Sequence, residues 1–283
     1  MQTDNAFTMW LPPEGQSQPL VFDSPHSSSL FPEHLALNAT SNQLKTGWDA
    51  FVEELWMPAV DMGASLIAAN FSRMYIDPNR AATDIDEALL VEPWPLNAQP
   101  TAYSERGMGL IRRFALPDVP MYNQKLSVAD VQARIADYYA PYHAQLAQRL
   151  AQLREQFGQV WHIDCHSMKS KGNAMNIDAG TARPDVVVSD ARGSSSAPEF
   201  TSVVAETFKQ LGLQVSVNHP YQGGHIVRHY GQPKNGVNSI QIELNRGLYM
   251  HEDTFEKSDR FADLQHNLSQ VSEAILEYIK ENT

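Results

Sequence analysis

Strand-like and helix-like runs alternate along most of this chain, and that alternation limits the possible folds more than any other feature. Residues 19–26, Pro-Leu-Val-Phe-Asp-Ser-Pro-His, are a short apolar run broken by proline, the pattern of a strand ending in a turn. Residues 58–70 read as a helix with Pro58 in its first turn, and 73–77 as a second strand. Between 128 and 157, Val131, Ile135, Tyr138, Tyr142, Leu146, Leu150, Leu153 and Phe157 keep helical spacing, with Pro141 expected to kink or break the helix. Strands are expected over 159–166, 184–189, 213–217 and 238–244. A helix opens at Pro198, capped by Ser196, and closes at Gly212. A last helix buries Phe261, Leu264, Leu268, Val271, Ile275 and Ile279. The whole reads as one α/β domain over residues 1–283 with helices on both faces of its sheet. Residues 81–127 break the pattern: five prolines and little periodicity mark an irregular excursion, an ordered wall or lid.

Composition narrows the partners. A 42% hydrophobic content over 283 residues supplies a large core and excludes wholesale disorder. Lys and Arg number 21 against 33 Asp and Glu, a net charge of −12. Such a chain offers no general phosphate-binding surface, so neither nucleic acid nor an anionic membrane is expected as a partner. No apolar run reaches the ~20 residues of a membrane span. The single Cys165 excludes an internal disulfide framework, and the N-terminus lacks a basic signal start, so a cytoplasmic location is expected. Oligomeric state is not fixed by these features.

Four polar clusters fall where expected strands end: Ser24–Ser28, Asp77–Arg80, Asp164–Ser167 and Glu243–Arg246. Ligands of open α/β sheets bind at the carboxyl ends of strands, so the four together point to a site. His26 and His166 are nitrogen donors suited to zinc, which needs a third protein ligand and one open position for catalysis. Asp61, in the helix before Arg73, is one candidate acid, although an aspartate there also serves the helix dipole. Glu54 is the other. Asp164 lies two residues before His166, on the same strand face, and can orient its ring from behind. Cys165 points the opposite way and is expected in the core. A Ser–His–Asp hydrolase is the competing chemistry, but there is no Gly-x-Ser-x-Gly elbow. The loop from Asn218 to His225 carries two glycines that permit close backbone approach at Gly224, and Tyr221 or His225 are its candidate substrate contacts.

Taken in order, Ser24-Pro-His-Ser-Ser28, Ser72-Arg-Met-Tyr-Ile-Asp-Pro-Asn-Arg80, Asp164-Cys-His-Ser-Met168, Asn218-His-Pro-Tyr-Gln-Gly-Gly224 and Ile240-Gln-Ile-Glu-Leu-Asn-Arg246 resemble the N-formylglutamate amidohydrolase family. The one departure is Ser28, where glycine is expected. The resemblance covers Pro19 to Met250 and implies a three-layer α/β/α fold with a mixed, mostly parallel sheet, like that of zinc exopeptidases (phosphorylase/hydrolase-like). It implies one Zn2+ per chain on His26, His166 and an acid, and the order of segments favours Asp61. It further implies Glu243 as general base, with Arg73, Asn79 and Arg80 holding carboxylate and oxyanion. The implied reaction converts the small anion N-formyl-L-glutamate to glutamate and formate, in histidine degradation. A deacylase or carboxypeptidase for another N-acylamino acid or peptide C-terminus is the nearest alternative. A non-catalytic metal-dependent binding protein is the second.

Overall fold

A computed structural model describes residues 1–31 and 35–283. Among these, the strands are β1 (Gln2–Thr3), β2 (Phe7–Trp10), β3 (Leu20–Ser24), β4 (Ser65–Ala69), β5 (Phe114–Leu116) and β6 (Val119–Pro120). They continue with β7 (Val160–Met168), β8 (Val186–Ser189), β9 (Val215–Val217), β10 (Val237–Asn245), β11 (Met250–His251) and β12 (Glu256–Lys257). Eight form the central sheet, in the order β1-β2-β4-β3-β7-β10-β8-β9. The pairs β3–β4, β3–β7, β7–β10 and β8–β9 are parallel; β1–β2, β2–β4 and β8–β10 are antiparallel. The sheet is therefore mixed and mostly parallel. β3, β7 and β10 are buried along their whole length, as strands covered on both faces must be.

Helices cover both faces. On one lie α2 (Val52–Trp56), α3 (Pro58–Asp61), α7 (Pro198–Gln210) and α9 (Phe261–Asn282), which share a core with Trp161, Ile163 and Cys165 of β7. The other face takes the helix pair α5 (Val128–Arg134) and α6 (Ala140–Phe157), together with the excursion, whose core includes Trp94, Ile111 and Met121. The short α1 (Ser41–Lys45), α4 (Ala102–Glu105) and α8 (His225–Tyr230) lie in connections.

Four local readings change. Residues 58–70 are not one helix: α3 stops at Asp61, and Gly63, at φ 106°, turns the chain into β4. A side chain at Gly63 would strike Gln16 O and Gln18, so the reversal needs glycine. All five residues of β4 are buried, and such a continuous apolar run does not tell helix from doubly covered strand. Residues 73–77 form a turn rather than a strand, which brings Arg73 and Asp77 face to face. Ala197, not Ser196, occupies the cap position of α7. Pro141 does not split the long helix: Ile135–Tyr139 widens into a π-helical turn that absorbs the missing N–H, and α6 follows directly. Within residues 81–127 are short pieces only, among them α4 and the β5–β6 hairpin.

Candidate active site

The chain leaves β3 for β4 on one side, while the neighbour on the other side is β7, so the order of strands reverses between them. His26 follows β3 and His166 sits near the end of β7, one on each side of that crevice. Strand alternation puts His162, Asp164 and His166 on one face and buries Cys165 on the other, where burial pushes its thiol well up. Register then sets Glu243 of β10 beside His166, and Gln241 beside Asp164.

The two rings are turned toward each other. Nδ1 of His26 and Nδ1 of His166 are 3.0 Å apart, and Asp49 Oδ2 lies 3.5 Å from the first and 3.1 Å from the second. Behind them, Nε2 of His26 is 2.7 Å from Asp77 Oδ1, and Nε2 of His166 is 2.7 Å from Asp164 Oδ1. At His26 the Asp77 carboxylate favours the proton on Nε2 and turns the Nδ1 lone pair toward His166, while Nε2 of His166 meets both Asp164 Oδ1 and, at 2.8 Å, Asn79 Nδ2. Two ring nitrogens this close need a proton or a cation between them. Zinc–nitrogen bonds of 2.0–2.1 Å at a tetrahedral angle would set two nitrogens about 3.3 Å apart, near the spacing seen. Two imidazoles and one carboxylate, all buried, make a donor set that fits a divalent zinc-type ion.

The acid in this group is Asp49, not Asp61 or Glu54. The reason is topological. Helices α2 and α3 carry the chain back across the sheet from the carboxyl end of β3 to the amino end of β4. Asp49 precedes this crossover, at the end where His26 lies, and its N–H donates to His26 O at 3.0 Å. Asp61 follows the crossover, exposed at the far edge. Glu54 is half-exposed and bonded to Lys257. Asp49 Oδ1 accepts from Arg246 Nη2 at 2.8 Å, and Oδ2 from Ser167 N–H at 3.2 Å. Nothing in the local spacing marks Asp49; only its place before a crossover helix would have singled it out.

Charge on this floor does not balance. Asp49 pairs with Arg246, and Asp77 takes both Nε and Nη2 of Arg73. Asp164 and Glu243 have no Lys or Arg partner among the described residues. Burial raises the Asp164 carboxyl and lifts Glu243 to about 7, where His166 and Arg73 pull down and Asp49 pushes up. Burial drives His26 toward the neutral form, with Arg73 adding to it. At His166 burial acts the same way but is outweighed, first by Asp164, so its imidazole is raised. Buried carboxylate with no Lys or Arg partner is what a dication would compensate.

Arg73, Asn79, Arg80, Tyr221 and Gly224 line the pocket above this floor. Arg73 spends two donors on Asp77 and leaves Nη1 with no acceptor among the described residues. The Asn79 amide is engaged: Nδ2 donates to Asp164 Oδ2 at 3.1 Å, and Oδ1 accepts from Ile226 N–H at 2.8 Å. Asn79 therefore holds the site together, a different task from the substrate contact expected. Gly224 allows this, since a Cβ there would run into the Asn79 amide. Arg80 lies over the Tyr103 ring and has no carboxylate partner among the described residues. Tyr221 stacks near Arg183, which is paired with Asp178. His225 does not line the pocket; it packs against His143 and His229, at ring separations of 5.9 and 5.1 Å. Ser28 needs no left-handed backbone, so the expected glycine is dispensable there. Sequence reasoning also missed Asp77 as the partner of His26, and Arg112 and Lys169 in the pocket wall.

Residues 18–250 match the family model described as N-formylglutamate amidohydrolase. This chain belongs to that family. It is 30% identical over 238 residues to the N-formylglutamate deformylase of Pseudomonas aeruginosa, covering 83% of each chain. The deformylase of Pseudomonas putida is 30% identical over 245 residues, 83% of this chain and 82% of that one. Among solved structures, the N-formylglutamate amidohydrolase from Ralstonia eutropha JMP134 superposes with a TM-score of 0.93 at 38% identity, covering 99% of this chain and 100% of that one.

Proposed function

We propose that this protein hydrolyses the formamide bond of N-formyl-L-glutamate, giving glutamate and formate, with one zinc-type ion held by His26, Asp49 and His166. The observation that carries the proposal is the pairing of two charge imbalances: three convergent donors beside Glu243, and a wall above them rich in cations. The names of the family and of its relatives supply the substrate class. When bound, the ion would lower the pKa of a water molecule and polarise the formyl oxygen.

The remaining work falls to side chains. Glu243, buried beside His166 and held near neutrality, accepts a proton from the attacking water and returns it to the departing nitrogen. Gln241 Nε2, donating to Glu243 Oε1 at 2.9 Å, fixes the carboxylate's orientation. The free Nη1 of Arg73, in the pocket lining, would steady charge on the formyl oxygen as the tetrahedral state forms. Arg80 binds the α-carboxylate, its guanidinium fixed by Met108 O, Asn79 O and the Tyr103 ring. The step's place at the end of histidine degradation rests on the family resemblance alone.

The test is release of formate and glutamate from N-formyl-L-glutamate, run beside N-acetylaspartate and a peptide with a free C-terminus. Turnover of the formyl substrate, lost to a chelator and restored by zinc, is expected. Turnover confined to another acylated acid would move the substrate assignment; bound metal without turnover on any of them would make the protein a binder.

A further inference from the structure

Six cations line the pocket: Arg73, Arg80, Arg112, Lys169, Arg183 and Arg246. Three are neutralised, by Asp77, Asp178 and Asp49. Arg112 is the most unusual of the rest. It is 8% exposed, its side chain makes no hydrogen bond or ion pair with any described residue, and its Nε is buried without a partner. Burial, with the like charges of Arg73 and Arg80, brings its guanidinium down to about 9. An unpaired cation in such a place is costly, so a fold that keeps one has an anion to meet.

The backbone holds this residue firmly. Leu110 O accepts from Asp77 N–H at 2.8 Å, Leu110 N–H donates to Asp84 O at 3.0 Å, and Arg113 N–H donates to Gly107 O at 3.0 Å. The loop carrying Arg112 is thus pinned to the residue that orients His26. Met108 O, in the same loop, takes Arg80 Nε. Arg80 is joined directly to Asn79 and so to the floor, whereas the Arg112 side chain lines the same pocket with no hydrogen bond to any described residue. On a glutamate skeleton the α-carboxylate is one bond from the carbon bearing the amide, and the side-chain carboxylate carbon is three.

We propose that Arg112 is the specificity residue for the side-chain carboxylate of the substrate, with Arg80 holding the α-carboxylate. The assignment rests on the proposed amidohydrolase reading and adds to it the group that separates a formyl-dicarboxylate from other formyl-amino acids.

Arg112→Gln, compared with the unaltered enzyme on N-formylglutamate and N-formylglutamine, tests it. Expected is a loss of roughly 100-fold in kcat/KM on formylglutamate, carried mainly by KM, and a change under roughly 3-fold on formylglutamine. Arg112→Lys should restore part of the preference. Thermal melting supplies a readout free of turnover: glutarate should stabilise the unaltered protein more than butyrate does, and Arg112→Gln should erase that difference without lowering the melting point of the ligand-free protein. Equal losses on both substrates, a preserved glutarate effect, or a large drop in melting point would each overturn the assignment. An unaltered enzyme inert on formylglutamate would instead remove the amidohydrolase reading itself.

Discussion

The floor of the pocket and its wall are opposite in electrostatic design. The floor is built by β3, β7 and β10 and holds more buried carboxylate than Arg can neutralise, leaving Asp164 and Glu243 without one among the described residues. The wall is built largely by loops and holds Arg80, Arg112 and Lys169 with no carboxylate in ion-pair contact among the described residues. At Lys169, burial and then Arg246 lower the ammonium to about 8. One region is short of positive charge and the other of negative. A dication would answer the first and a dianion the second, and attraction of an anion to a chain of net charge −12 would then be local.

Four substitutions would sharpen or break this contrast. Largest should be Glu243→Gln, losing roughly 10²–10⁴-fold in turnover while zinc affinity is kept; near-normal turnover would remove Glu243 as the base. Asp164→Asn, acting from behind His166, should weaken zinc roughly 10–100-fold, read by competition with a chromophoric chelator. Unchanged affinity would show that Asp164 does not orient the ring. In the wall, Lys169→Met should leave zinc binding untouched and raise KM for the anionic substrate several-fold, the gap narrowing as salt is added. A salt-independent effect would mean lost packing rather than lost charge.

The smallest effect belongs to Glu53, on α2 behind the His26 loop. Its Oε2 is buried without a partner, and burial raises its carboxyl to about 7 from the ordinary 4.5. The folded protein holds a proton there that the unfolded chain has released, so stability falls as pH rises between those values. Glu53→Gln should add on the order of 1–2 kcal/mol at pH 8 and almost nothing at pH 4, measured by urea unfolding. A gain independent of pH would refute that cause.

The two regions also differ in how far the sequence reveals them. The floor was readable where strand alternation operates: His166, Asp164 and Cys165 follow from a period of two, and Glu243 from the end of a recognisable strand. It is unreadable where position depends on a crossover: no local pattern marks Asp49, and Asp61, which the resemblance favours, lies at the wrong end of that crossover. The error began at residues 58–70, where a buried apolar run hid a turn at Gly63. The wall was harder. Arg112 belongs to an excursion whose shape is set by tertiary contacts such as Leu110 O with Asp77 N–H, and no periodicity encodes those. His225 shows the converse: a plausible loop histidine that α8 turns toward His143.

On the proposed reading, His26, Asp49 and His166 enclose one ion. Equilibrium zinc titration of the full-length protein, beside Asp49→Ala and Asp61→Asn, tests it most directly. The expected result is one zinc per chain in the unaltered protein and in Asp61→Asn, with affinity reduced at least roughly 100-fold in Asp49→Ala. Zinc bound as tightly by Asp49→Ala, or lost on changing Asp61, would contradict it.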